Sequence, residues 1–343
     1  MDTNKDYKLV KIYCYVSEKY EDSLQYSCQR FSNNSEPKLT DQEIMTIYLF
    51  ALHYQGIFRI KQIHRFATGY LGDWFPDLGS YQAFNNRLNR VSHVMNSLVE
   101  SLCSDFALED ISNELSVLDS MPIITCSGKR KGTVAREIAD KGNCSTKGMY
   151  YSGMKLHALG FCRAGGLPHP EQIIFTPASV NDLALYKRAW AEILGRTFFG
   201  NKIYNDKGFF RDMSQRFGSE MLTPVKAVKG MSEVLKKFDR AANDLHLRTF
   251  SKIRQPIESL FNWLIEKADI QKASKVRSTK GLTLHTYGRL AAAFKTNILT
   301  LIRIITYRWS IFFDFLFAVF FKNDTFIRRW SSIRYSKVRP CAD

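Results

Sequence analysis

After residue 115 the texture of the chain changes, and that change constrains the fold more than any other feature. Short apolar runs at 115–119, 150–161, 172–176, 202–206 and 221–225 read as strands, with helical patterns at 182–194 and 208–217 between them. Strands alternating with helices imply an α/β core. Asn181-Asp182 stands where a cap opens the first of these helices. Pro256 falls where a first helical turn tolerates it, so a further helix is expected over 257–267. The segment 129–147 is polar, basic and glycine-containing, and reads as a loop between the first two strands.

The first hundred residues read helical instead. Thr40-Asp41-Gln42-Glu43 fits a capping box ahead of the apolar run 44–52, and Gly56 ends that helix. Residues 57–66 carry Arg59, Lys61 and Arg65 without an acid, a turn-rich break spans 69–79, and a last helix is expected over 80–103. Several short helices in this order suit a helix-turn-helix-like module, a pattern shared with small bundles that never touch DNA. The expected domains are therefore 1–110, all-helical, then 111–302, α/β, then a tail over 303–343.

Charge follows the same division. The chain carries 49 Lys plus Arg against 33 Asp plus Glu, a net of +16. Residues 1–110 hold 11 basic and 14 acidic residues, leaving 38 basic against 19 acidic for the remainder. The stretch 270–313 has eight cations and no carboxylate, interleaved with apolar residues at helical spacing, which favours a phosphate-binding surface. The tail is aromatic-rich, with 11 of its 41 residues Phe, Tyr or Trp. Its apolar run 309–321 is too short to span a bilayer and is interrupted by Asp314, so no membrane partner is expected. Seven scattered cysteines, none two residues apart, offer no zinc ribbon or disulfide framework, and a reducing cytoplasm is expected.

Acids at strand ends are where open α/β sheets build sites. Asp119 ends the run 115–118, Asp206 ends 202–205 ahead of Lys207-Gly208, and Glu258 follows Pro256 in a first helical turn. Three converging carboxylates repel unless cations neutralise them, and hard oxygen donors select Mg²⁺ or Mn²⁺. An acid after a strand is also often only a cap or turn residue. His157 reads as a core histidine on a strand and Asp182 as a helix cap. Arg254 either pairs with Glu258 or holds a phosphate.

Eight stretches carry a resemblance: LTDQEIMTIYLFALHYQG, FPDLGSYQAFNNRLNR, LSVLDSMPI, KGMYYSGMKLHALG, TPASVNDLALYK, IYNDKGF, RQPIESLFNWL and ASKVRSTKGLTLHTYGRLAAAF. In this order they resemble the DDE transposases of bacterial insertion sequences, most closely the insertion-sequence 982 family. The resemblance covers about residues 38–300. It implies a ribonuclease-H-like catalytic core with a mixed five-stranded sheet, preceded by the helical domain. It also implies that Asp119, Asp206 and Glu258 bind two Mg²⁺ ions, with Mn²⁺ as a substitute, for cleavage and transfer of DNA strands. Double-stranded element ends and target DNA are the implied partners, held by a homodimer in a synaptic complex in the bacterial cytoplasm. The residues expected to contact DNA are Arg59, Lys61, Arg65, Lys129, Arg130, Lys131, Lys155, Arg254, Lys267, Lys272, Lys275, Arg277 and Lys280. A related nuclease that does not join strands, or an inactive DNA-binding copy, are the alternatives.

Overall fold

In the computed structural model, which describes residues 3–30, 37–105, 111–144, 148–163, 165–224 and 230–294, the chain divides into two units. One comprises Met1–Leu98 with Ala291–Asp343, the other Val99–Leu290. The expected tail 303–343 and expected contacts beyond residue 294 lie outside the described residues.

The first unit is helical. Helix α1 spans Thr3–Lys19 and continues through a wider turn, Tyr20–Leu24, into α2, Gln25–Cys28. Helix α3, Asp41–Gln55, opens with the expected capping box: Thr40 Oγ1 accepts from the Glu43 amide, and the Glu43 carboxylate accepts from the Thr40 amide. Its run Ile44–Leu52 is buried throughout, and Gly56 closes it. A four-residue connection leads to α4, Ile60–Tyr70, which buries Ile63 and Ala67. The helix expected over 80–103 is interrupted. Helix α5, Tyr81–Arg90, gives way to a tighter turn at Val91–His93 before α6, Val94–Ser104. There Ser92 Oγ donates to the Asn89 carbonyl, a local bond that competes with a straight helical ladder.

Asp41 organises this unit. Its carboxylate, 5 % exposed, accepts from Arg87 at 2.7 Å, Arg90 at 2.8 Å and Arg30 at 3.3 Å. Arg87 also donates to the Leu39 carbonyl, so three distant segments converge on the first turn of α3.

The second unit is a mixed sheet with helices. Strands are β1 (Ile111–Ser127), β2 (Asp140–Cys144), β3 (Met149–Arg163), β4 (His169–Pro177), β5 (Thr197–Phe199) and β6 (Glu220–Leu222). Strand β3 pairs antiparallel with β1 along one edge and with β2 and then β4, end to end, along the other. Strands β5 and β6 continue the sheet beyond β1, both parallel. Among the described residues the expected five strands become six, because β2 forms inside the segment read as a loop. Its sequence Asp-Lys-Gly-Asn-Cys has no apolar alternation to announce it, and pairing with β3 alone makes it a strand.

Helices α7 (Asp182–Ala189) and α8 (Lys207–Phe217) pack on the sheet through Leu185, Tyr186, Trp190 and Met213, which meet Leu118, Leu159, Phe198 and Tyr204. Full burial of side chains this size contributes about 1.5–3 kcal/mol each. Asn181 Oδ1 caps α7 by accepting from Leu183 and Ala184, as its position suggests.

Three further expectations are corrected. Strand β1 runs on past Asp119, which lies within it rather than at its end. Residues 202–206 hold a tight helical turn, Lys202–Tyr204, and the strand is the aromatic run before it, because Asn201 caps that turn by accepting from the Ile203 amide. Pro256 does not open a helix but lies inside α9, Glu233–Ala268, whose start is capped by Ser232. The ring removes one amide donor, and a 36-residue helix absorbs that loss. Helix α10, Thr279–Thr283, follows and passes into a wider helical turn, Leu284–Gly288. Among the described residues no helix is long and apolar enough to cross a membrane.

Candidate active site

The outer edge of β1 is paired in two places with a gap between them. Strand β5 covers Leu115–Val117, and the segment after α9 rejoins at Ile124, where Gln271 O accepts from the Ile124 amide and Ile124 O from the Ala273 amide. Asp119 lies in that interval, just past the C-terminal end of β5. This is the side of a parallel strand pair where α/β sheets receive ligands.

Asp119 is 8 % exposed and surrounded by donors. Its Oδ1 accepts from the Ser120 amide at 2.8 Å and from Asn201 Nδ2 at 3.0 Å, and its Oδ2 accepts from Arg254 Nη2 at 2.8 Å. Burial pushes its carboxyl above the usual range, against the opposing pull of Arg254.

Arg254 has a second partner. Its Nη1 donates to Glu258 Oε1 at 2.8 Å, one turn further along α9, where the Glu258 side chain is half exposed. One guanidinium therefore joins two of the three expected acids. The pairing with Glu258, one of the two readings open for Arg254 in the sequence, is present.

Asp206 caps α8, its Oδ1 accepting from the Phe209 amide at 3.2 Å. Its Oδ2 accepts from Lys187 Nζ at 2.7 Å, and this bond holds the carboxyl below the usual range. Lys187 also lies 4.5 Å from the centre of the Phe209 ring. All three acids thus stand on cations of the chain itself. Among the described residues no three His, Cys, Asp or Glu side chains gather to hold a metal ion. The donors suit Mg²⁺ in kind, but their present arrangement does not form its cage.

A second buried carboxylate adjoins the first. Asp182, read as a cap in the sequence, follows the true cap and turns inward. It accepts from Ser120 Oγ at 3.0 Å and from Lys155 Nζ at 2.9 Å, and its Oδ1 lies 3.7 Å from His157 Nδ1. Lys155 donates in addition to the Val180 carbonyl, so this expected DNA contact is a half-buried counter-ion. His157 is fully buried, bonded to Thr176 Oγ1, and burial holds its imidazole down to about 4. It is the core histidine expected.

The remaining expected DNA contacts lie on surfaces. In the first unit Arg59, Lys61 and Arg65 are exposed on and just before α4. In the second, Lys129, Arg130 and Lys131 are exposed between β1 and β2, and Lys267, Lys272, Lys275, Arg277 and Lys280 from the end of α9 to α10. Asn201 and Lys187 are the contributors that sequence reasoning missed. Asn201 follows the Thr-Phe-Phe-Gly run, and Lys187 ends TPASVNDLALYK, where only spatial proximity marks them.

The family described as "Transposase DDE domain" matches residues 112–294, a span containing Asp119, Asp206 and Glu258. The chain is 13% identical to the protein in "Crystal structure of a pre-cleavage Mos1 transpososome", covering 78% of this chain and 82% of that one with a TM-score of 0.18. For "Mos1 transposase paired-end complex with left transposon end" the values are 12%, 79%, 81% and 0.18. No curated protein matches.

Proposed function

The chain belongs to the transposase DDE domain family, and from that premise we propose that it binds the terminal inverted repeats of an insertion sequence, cuts them and joins the freed ends to target DNA. Within the family we place it nearest the insertion-sequence 982 group, on the eight stretches quoted above. Its second unit is read as a ribonuclease-H-like core and its partners as duplex element ends and target DNA. A homodimer acting on DNA in the cytoplasm is the assembly this reading implies.

The observation that carries the assignment of the acids is the reach of Arg254 to Asp119, 135 residues away in sequence, while it also holds Glu258. Catalytic roles fall to Asp119, Asp206 and Glu258. Asp119 is oriented by Ser120 and Asn201, whose donors fix one carboxylate oxygen and leave the other to Arg254. A guanidinium fork fits phosphate as well as carboxylate. A DNA phosphodiester reaching this edge competes for Arg254 and for Lys187, and each exchange frees a carboxylate. Mg²⁺ is the cofactor the family implies; Asp119, Asp206 and Glu258, now paired with Arg254 and Lys187, would hold it once those cations are drawn away.

In the first unit, α3, the Gly56 connection and α4 have the proportions of a helix-turn-helix, with Arg59, Lys61 and Arg65 facing solvent. We assign that face to DNA positioning. A strand-transfer assay with pre-cleaved ends tests the joining step: hydrolysis without joining replaces this reading by a nuclease, and end binding without either reaction by an inactive copy.

A further inference from the structure

Two basic stretches far apart in sequence meet at the end of β1 remote from Asp119. We propose that together they form one platform for the phosphodiester backbone of duplex DNA, separate from the acidic site. This inference rests on the proposed function for its ligand and adds where that ligand is gripped.

A cavity of about 600 Å³ lies over the β1–β2 connection, lined by Lys129, Arg130, Lys131, Arg136 and Lys141 with one acid, Asp140. All five cations are exposed. Asp140 turns its carboxylate to the amide and hydroxyl of Ser179, and its single charge leaves the five cations in excess. Among the described residues none of the five forms an ion pair. The cavity is also a shaped feature. The Gly128 amide donates to Tyr150 O at 2.8 Å, and a Cβ at Gly128 would stand 2.5 Å from the Tyr150 Cβ. A Cβ at Gly132 would stand 2.6 Å from Ser152 Oγ. Only glycines let this loop lie flush on β3.

The second stretch docks beside it. Gln271 and Ala273 bond to Ile124, and Thr279 Oγ1 donates to Glu137 Oε2 at 2.6 Å, next to Arg136. Lys272, Lys275, Arg277 and Lys280 are exposed along this segment. Like charges concentrated in this way repel one another and are stabilised by a polyanion. An array spread over two segments suits successive backbone phosphates, which fix position without reading sequence. Thr125, on the cavity wall, is six residues beyond Asp119 on β1, about 20 Å at the rise of a strand. The cations can therefore be removed without touching the acids.

The test uses the full-length protein, a duplex of random sequence and a salt titration of binding by fluorescence anisotropy. The variants are Lys129→Ala/Arg130→Ala/Lys131→Ala and Arg136→Ala/Lys141→Ala, each checked for unchanged thermal unfolding. Each lost phosphate contact lowers the slope of log affinity against log salt by about 0.9, so the triple variant should lose about 2 or more. Slopes equal to wild type overturn the platform while leaving the proposed function standing. Wild type that binds no duplex DNA overturns both. A slope that changes with single-stranded RNA and not with duplex DNA overturns the ligand assigned here.

Discussion

Arg254 Nη2 lies 2.8 Å from Asp119 Oδ2, and this contact ties the middle of the longest helix to the middle of the first strand. Asp119 is almost fully buried and Arg254 mostly so, which leaves little water to screen the pair. The same guanidinium holds Glu258, so the charge state of the site is shared among three side chains.

Arg254→Gln should lower stability by about 3 kcal/mol, because it strands a buried carboxylate. Combined with Asp119→Asn, the loss should shrink, giving a coupling of about 1–3 kcal/mol in a double-mutant cycle. Arg254→Lys should fall between, since one ammonium cannot span both carboxylates. Urea unfolding of wild type, the three single variants and the double variant measures this, and strictly additive effects in the cycle would refute the pairing.

Asp41→Ala removes the acceptor common to Arg30, Arg87 and Arg90. Breaking a buried ion pair from one side costs about 3–5 kcal/mol. The expected result is early unfolding of the first unit, seen as fast amide exchange in α3 and α5. Exchange unchanged from wild type would mean that the arginines find water instead.

His157 gives the second unit a pH dependence of known sign. Burial holds its imidazole down to about 4 against an ordinary 6.5, with Asp182 pulling it up and Lys155 and Arg188 pushing it down. The unfolded chain therefore takes the proton first as pH falls. Stability from this group is full above about 6.5 and is lost toward about 4, on the order of 3 kcal/mol in all. His157→Gln should flatten the difference between unfolding at about pH 7 and about pH 4.5. An equally steep difference in the variant would show that other groups set it.

What was legible in the sequence was local. The Thr40–Glu43 box, the Asn181 cap and strands β3 and β4 all rest on residues within a few positions of one another. Strand β2 was not, because its polar residues become a strand only against β3. The misplaced strand at 202–206 and the helix start assigned to Pro256 share a cause. A turn and a proline were each given their commonest local meaning, and tertiary packing decided otherwise. The acids could be picked out as candidates, and so could Arg254 as the partner of Glu258 four residues on, but not the cations of Asp206 and Asp119. Lys187 is 19 residues from Asp206 and Arg254 is 135 from Asp119, distances over which no spacing rule operates.

The proposed function stands on Asp119, Asp206 and Glu258 as the residues of strand cleavage. Its most direct test is the cleavage of DNA carrying the element's inverted repeats by full-length Asp119→Asn, Asp206→Asn and Glu258→Gln proteins. Binding of the same DNA is followed in parallel. Each variant should keep its binding and lose cleavage by about 100-fold or more. Cleavage at the wild-type rate by any one of the three would contradict it.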